Sequence, residues 1–362
     1  MKKVVFTVTN DLSYDQRMNK ICTSLAQNNF EVLLVGRERK SSIPLKKERY
    51  HQHRIKCYFE KGKLFYLEYN FKLFLFLLLR SHFDILCSID LDTLVPGFFV
   101  SKIKSKPLVY DAHEYFTEME EVVSRPLIQK VWKTVERWLV PKVDAAYTIS
   151  DGYAKLFEQE YPIKFNIVRN ATVLKKHVDD NQAVSYILYQ GAVNVGRGLE
   201  ELIDAMQYVD SSLVICGKGD VYEKLIEQTK RLQLEHKITF KGYVPPSELV
   251  NITRNAKIGI TLFSNAGLSN LYSLCNRFFD YMHSGVPQLA MRYPEYVDFN
   301  QQFEVAYLLN KLNSKSIAEG LTELLNDKPL YDRLKNQALM AREKHNWQEE
   351  EKTLLKIYQS FF

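Results

Sequence analysis

Apolar runs of strand length alternate along this chain with longer segments of helical period. In the first half the runs are KVVFTVT (3–9), FEVLLVG (30–36), FDILCSI (83–89), PLVYD (107–111) and DAAYTIS (144–150). In the second half they are YILYQG (186–191), SLVICG (212–217), KITFKG (237–242), KIGITLF (257–263) and VPQLA (286–290). Runs this apolar predict strands buried on both faces, and their spacing suits βαβ crossovers. Tight-turn hairpin signals are missing. The pattern predicts an α/β protein with two open, parallel, Rossmann-like sheets covered by helices. The boundary is expected in the polar, aperiodic stretch RNATVLKKHVDDNQAV (169–184).

In open α/β sheets, ligands sit beyond the carboxyl ends of the strands. The polar residues just after each apolar run therefore carry the information. After the first run, Asp15 and Arg17 open an amphipathic helix. They are an N-cap and a surface charge in one reading, and the lining of an acceptor pocket in the other. Asp90 and Asp92 follow the third run. Two carboxylates there suit a metal or a hydroxyl-rich ligand, unless one only caps the next helix. Asp111, His113 and Glu114 cluster after PLVY, where a His beside a carboxylate can hold a polar ligand group or simply be buried.

After YILYQG come Gly191, Gly196, Arg197 and Gly198. Glycines let a backbone approach an anion, a helix start presents unbonded N–H groups, and the Arg197 fork suits phosphate. The spacing is neither a dinucleotide fingerprint nor a P-loop. The second glycine turn, CGKGD (216–220), reads as a turn or a further ligand loop. In NRFFDYMHSGVP (276–287), Arg277 and Asp280 are three apart on one helix face. They form an internal ion pair, or Asp280 accepts from the two hydroxyls of a ribose. These parts suggest a phosphate-and-ribose site in the second domain and a nucleotide or nucleotide-sugar ligand.

Composition narrows this little. At 362 residues two domains are the default, and 46% hydrophobic with 25% charged residues is ordinary for a globular protein. The five cysteines are scattered without a C-x-x-C pair, which fits a reducing compartment and speaks against zinc. The start, MKKVVFTVTN, reads as a first strand rather than a signal peptide. Charge is uneven: residues 1–170 hold 27 Lys+Arg and 20 Asp+Glu, the remainder 22 and 23. Residues 37–63 alone carry ten Lys+Arg against three acids, as a solvated face or a contact with anionic lipid or acceptor. LFYLEYNFKLFLFLLL (64–79) is too short and too interrupted to span a bilayer. It reads as a core helix, with an interfacial helix as the alternative.

In order, the segments 14–36, 90–97, 108–118, 188–206, 240–249 and 276–290 resemble glycosyltransferase family 4, retaining enzymes of the two-domain GT-B architecture. The resemblance covers nearly the whole chain. It implies an N-terminal acceptor-side domain at 1–170, a nucleotide-sugar domain at 171–344, and a last helix at 345–362 crossing back, with Trp347, Leu354, Leu355 and Tyr358 buried. It also implies that Arg197 and the Gly191–Gly198 loop hold the donor diphosphate and that Asp280 accepts from ribose. By the same resemblance, backbone at Gly242, Tyr243 and Val244 meets the base, and His113 contacts the transferred sugar across the cleft. The motif is similar to the branch reading N-K-x-F-E-Y-M, with Arg277 for Lys. The family's E-x7-E pattern is changed: Asp280 takes the second acid's place and Tyr272 the first.

The expected function is retaining transfer of a sugar from a UDP- or GDP-sugar to a glycan or lipid-linked acceptor in surface polysaccharide assembly. No metal, cofactor or nucleic-acid partner is expected, and the location is cytoplasmic, with a peripheral contact to anionic membrane. A nucleotide-sugar 2-epimerase of the same architecture and a non-catalytic nucleotide-sugar-binding subunit are the alternatives.

Overall fold

The computed structural model describes residues 1–13, 15–176 and 186–362, which form two compact units. Unit 1 is Met1–Arg169 with Glu350–Phe362, and unit 2 is Asn170–Glu349. The first change of unit falls at the start of the polar stretch 169–184. The rest of that stretch from 177 on, like Tyr14 of the 14–36 segment, lies outside the described residues.

Unit 1 is built on seven strands: β1 (Lys2–Thr7), β2 (Phe30–Glu38), β3 (His51–Lys56), β4 (Ile85–Ile89), β5 (Leu108–Ala112), β6 (Ala145–Thr148) and β7 (Phe165–Ile167). All pair in parallel, in the order β3-β2-β1-β4-β5-β6-β7. The two strands that the apolar pattern does not predict, β3 and β7, are the two edges. An edge strand needs fewer apolar residues than a central one, and charge there discourages pairing with other chains. β3 lies inside the basic stretch 37–63. Arg54 turns inward to Asp11, 2.6 Å away, and Arg37 lies 4.3 Å over the Phe65 ring. Part of that basic run is therefore structural.

The first three helices of this unit are α1 (Gln16–Gln27), α2 (Gly62–Leu79) and α3 (Asp90–Lys104). The apolar segment 64–79 becomes α2. It buries Phe65, Tyr69, Leu73 and Leu77, one stripe at four-residue spacing, and the Tyr69 hydroxyl donates to Val8 O at 2.5 Å. No helix of the described residues is long and apolar enough to cross a membrane.

Unit 2 has six parallel strands: β8 (Tyr186–Gln190), β9 (Ser212–Cys216), β10 (Ile238–Gly242), β11 (Ile258–Thr261), β12 (Gln288–Met291) and β13 (Ala306–Leu309). Their order is β10-β9-β8-β11-β12-β13. The unpredicted strand, β13, is again an edge. The helix Asn276–His283 is locked onto this sheet by Tyr281. Its hydroxyl donates to Leu188 O at 2.9 Å and accepts from Gln190 N at 3.2 Å. Its ring lies where a Cβ at position 259 would stand, so Gly259 is required.

Both sheets reverse direction at one place, β1/β4 in unit 1 and β8/β11 in unit 2. Loops leaving the two strands at such a switch point diverge and open a crevice at the carboxyl ends.

The chain changes unit for the second time inside its last helix, Trp347–Gln359, between Glu349 and Glu350. Trp347 stays with unit 2, its N–H donating to Thr172 O at 3.0 Å. Beyond it, Leu354, Ile357 and Tyr358 are buried, whereas Leu355 is half-exposed. Tyr358 packs 5.7 Å from the Phe6 ring and shares a hydrogen bond with the Tyr147 hydroxyl at 3.2 Å.

Candidate functional site

Each switch point carries a cluster of charge, and the two differ. In unit 2 the loop after β8 is shaped by glycine. Gly191, Gly196 and Gly198 have φ of 128°, 78° and 64°, which a side chain would strain. Gly191 N–H donates to Cys216 O at 2.9 Å, and Gly217 N–H donates to Gly242 O at 2.7 Å. The ends of β8, β9 and β10 are thus joined. The turn 216–220 supports this loop, since a Cβ on Gly217 or Gly219 would collide with residues 191–194. The helix after the loop, Leu199–Ala205, has seven residues, so little helix dipole reaches the loop.

Arg197 and Arg277 meet beside this loop. Their guanidinium carbons lie 4.8 and 4.5 Å from the Phe263 ring centre, and Arg277 is also 4.8 Å from Tyr189. Arg277 Nη2 donates to Leu262 O at 3.3 Å, and its Nη1 is 3.3 Å from where a Cβ on Gly191 would stand. Both Nε atoms are buried without a partner, and among the described residues neither guanidinium has a carboxylate within ion-pair reach. A cation on an aromatic face gains roughly 0.5–2 kcal/mol. Burying one costs several kcal/mol. The rings therefore leave Arg277, only 7% exposed, undercompensated, with the half-buried Arg197 beside it.

The ion pair Arg277–Asp280 is not formed. Arg277 points into the rings, while Asp280 faces the end of β8. Its Oδ1 accepts from Thr172 Oγ1 at 2.7 Å and its Oδ2 from Gln190 Nε2 at 3.0 Å. Gln190 Oε1 in turn accepts from Thr253 Oγ1 at 2.7 Å, which turns the amide NH₂ toward the carboxylate. Asp280 is half-buried, with its plane set from two sides. Tyr272 follows the short helix Leu268–Leu271, is half-buried, and bonds through its N–H to Leu268 O. Tyr243 is exposed, Gly242 has φ of 64°, and Val244 packs against the small apolar cluster that includes Leu188, Val214 and Tyr281.

The cluster in unit 1 is closed by its own charges. Asp111 has no exposed surface. Its Oδ1 takes Arg17 Nη2 at 3.0 Å and its Oδ2 takes His113 Nε2 at 2.8 Å. Arg17 also donates to Val168 O at 2.8 Å. Burial pulls the His113 imidazole down in pKa, but the Asp111 carboxylate overrides it and the value rises. Burial raises Asp111, and Arg17 with His113 reverses this to a net lowering. Arg17 and Asp111, expected as substrate contacts, are instead interior groups that orient His113. Asp15, also expected there, caps α1 by accepting from Met18 N at 3.0 Å. It lies too on the rim of a pocket of about 90 Å³ with Ser13, Asn19 and Tyr50.

Asp90 sits at the end of β4 with φ of 53°, a region few non-glycine residues visit. Its Oδ1 accepts the backbone N–H groups of His113 and Glu114 at 2.8 and 3.2 Å. Asp92 Oδ2 accepts from Thr9 Oγ1 at 2.6 Å. Burial pushes Asp90 up to about 7 and Asp92 to about 6. Asp90, Asp92, His113 and Glu114 thus gather at one switch point, which carries both hydrogen-bond donors and acceptors. Among the described residues, no group of three or more His, Cys, Asp or Glu is arranged to hold a metal ion.

Phe263, Tyr189, Gln190 and Thr172 were not singled out from sequence. Gln190 had a signal, a polar residue ending a buried strand. Phe263 ends the run KIGITLF, where attention to polar residues alone passes over an aromatic support.

Residues 173–340 match the family described as Glycosyl transferases group 1. An uncharacterized glycosyltransferase of Methanocaldococcus jannaschii is 24% identical over 179 residues, 48% of this chain and 44% of that protein, so the match spans less than half of the relative's length. Among solved structures, sucrose-phosphate synthase from Thermosynechococcus elongatus superposes with a TM-score of 0.84 at 14% identity, covering 100% of this chain and 99% of that one. Anabaena HepE, solved in complex with UDP-glucose, gives a TM-score of 0.77 at 13% identity, covering 99% and 100%. At these identities the structures speak for the fold. The chain has the GT-B fold, two parallel-sheet Rossmann-like units, and its second unit carries a glycosyl transferases group 1 domain.

Proposed function

We propose that the chain is a retaining glycosyltransferase that moves a sugar from a UDP- or GDP-sugar to a glycan or lipid-linked acceptor in surface polysaccharide assembly. The observation that carries this reading is the pair of buried Arg277 and half-buried Arg197, both against Phe263 beside a glycine loop with no carboxylate partner among the described residues. A diphosphate is the anion whose charge and size answer such a pair. Asp280, oriented by Thr172 and Gln190, accepts from the ribose hydroxyls, and the Gly242–Val244 segment meets the base. The UDP-glucose bound to the Anabaena protein makes a uridine nucleotide the first ligand to test.

In the reaction, the bond from the anomeric carbon to the diphosphate oxygen breaks and a bond to the acceptor oxygen forms on the same face. The acceptor proton passes to the leaving diphosphate. Negative charge grows on that diphosphate in the transition state, where Arg197 and Arg277 stabilise it. Asp90, Asp92, His113 and Glu114 of unit 1 supply the polar groups for sugar hydroxyls. No metal-dependent step enters this scheme.

Thermal unfolding with UDP, GDP, ADP and their sugars tests it, because a ligand that binds the folded state raises the midpoint. One nucleoside diphosphate should raise it, and Asp280→Asn should reduce that rise. If no nucleotide moves the midpoint, the reading fails. Conversion of the bound nucleotide sugar without any acceptor would replace transfer with epimerisation.

A further inference from the structure

Helix α2 leaves a second apolar stripe in solvent. Leu64, Leu67, Phe71, Leu75 and Leu79 recur at steps of three or four on the face opposite its buried one, and Leu67 and Leu79 are 70% and 72% exposed. The helix Pro126–Leu139 does the same with Leu127 and Val131. α3 packs against both helices and exposes Phe99 and Ile103. Single exposed apolar residues are ordinary, but a face shared by three neighbouring helices marks an interaction surface.

Charge identifies the partner. Lys61, Lys63, Lys72, Lys102 and Lys130 are exposed on or beside these helices. The one acid in the α2 stripe, Glu68, is closed off by Lys72 Nζ at 2.6 Å and by the N–H groups of Tyr58 and Phe59 at 2.8 and 2.9 Å. The one acid of helix Pro126–Leu139, Glu136, is fully buried. The acids of α3, Asp90 and Asp92, lie at its first turn in the switch-point cluster of unit 1. A second copy of this face would set lysine against lysine. A layer of anionic headgroups over hydrocarbon matches both its apolar and its basic parts.

We propose that the outer face of α2, α3 and the Pro126–Leu139 helix docks on a bilayer surface bearing anionic lipid, lying on the membrane without crossing it. The proposal is independent of the transferase reading, since it concerns binding alone.

Co-sedimentation of the full chain with vesicles tests it. On phosphatidylcholine containing about one third phosphatidylglycerol, the protein should be retained at low salt and released as salt rises. Retention on phosphatidylcholine alone should be at least about tenfold weaker. Leu67→Ser with Phe71→Ser should lower retention on the anionic vesicles about tenfold or more. Because both side chains are exposed, this variant should keep its unfolding midpoint. Lys61→Glu with Lys63→Glu should weaken binding to anionic vesicles only. Failure of the wild type to bind anionic vesicles would overturn the proposal, as would equal binding by the Leu67/Phe71 variant. A dimer in sedimentation velocity that the Leu67/Phe71 variant converts to monomer, without vesicle binding, would assign the face to a second copy of the chain.

Discussion

The two switch points use arginine in opposite ways. In unit 1, Arg17 is almost fully buried but faces Asp111, and the carboxylate is shared with His113. In unit 2, Arg197 and Arg277 face aromatic rings and carbonyl oxygen. The first arrangement has its counter-charge inside the protein, so its arginine belongs to the scaffold. The second has no carboxylate within ion-pair reach among the described residues. Buried charge becomes informative about function when the search for its partner fails within the protein, and burial alone does not make that distinction.

Breaking the complete cluster should have the largest effect. Asp111→Ala leaves the Arg17 guanidinium buried without its carboxylate, a change that costs about 3–5 kcal/mol. Urea unfolding of the variant should show that loss, and a loss below about 1 kcal/mol would mean that Arg17 escapes to solvent.

In unit 2 the same kind of deletion should act on binding. Arg277→Ala should weaken the preferred nucleoside diphosphate by about 1.5–3 kcal/mol, roughly ten- to a hundredfold, for each charge-assisted bond lost. Its stability without ligand should change far less than that of Asp111→Ala, because no ion pair is broken. Calorimetric titration reads the first quantity and urea unfolding the second. Unchanged nucleotide affinity would remove Arg277 from the diphosphate site.

The smallest effect is a titration. His113 is raised from its ordinary 6.5 by Asp111 against burial. Its contribution to stability is therefore full below pH 6.5 and is lost as pH rises through the folded value. Asp111 is lowered from 3.8, so its contribution is present above pH 3.8 and is lost as pH falls through its lower folded value. In Asp111→Asn the imidazole loses its carboxylate while burial and Arg17 remain. Its NMR titration midpoint should fall below 6.5. A midpoint that stays above 6.5 would mean that another group, Asp90 for instance, sets it.

The central strands were legible because they are buried on both faces and carry almost nothing but apolar residues. β3, β7 and β13 were not, because an edge strand such as HQHRIK has no apolar run to show. The positions of Arg197 and His113 after strands, and of Asp280 on a helix, could be read from the chain order alone. Their partners could not. Arg277 and Asp280 are three apart on a helix, and spacing allows them to pair. Only the packing of Tyr189 and Phe263 decides that they do not. Arg17 and Asp111 are 94 positions apart, and nothing in either local sequence announces the other.

Both guanidiniums of unit 2 lie against one ring, Phe263, at the end of β11. A phenyl face attracts each cation but cannot neutralise either, so the fold holds two like charges against one ring. Opening of that strand end would relieve their repulsion, and a diphosphate bound as proposed would remove the incentive to open. Proteases act on such openings. If a diphosphate binds there as proposed, the lifetime of this chain in a cell should therefore lengthen as the supply of that nucleotide rises.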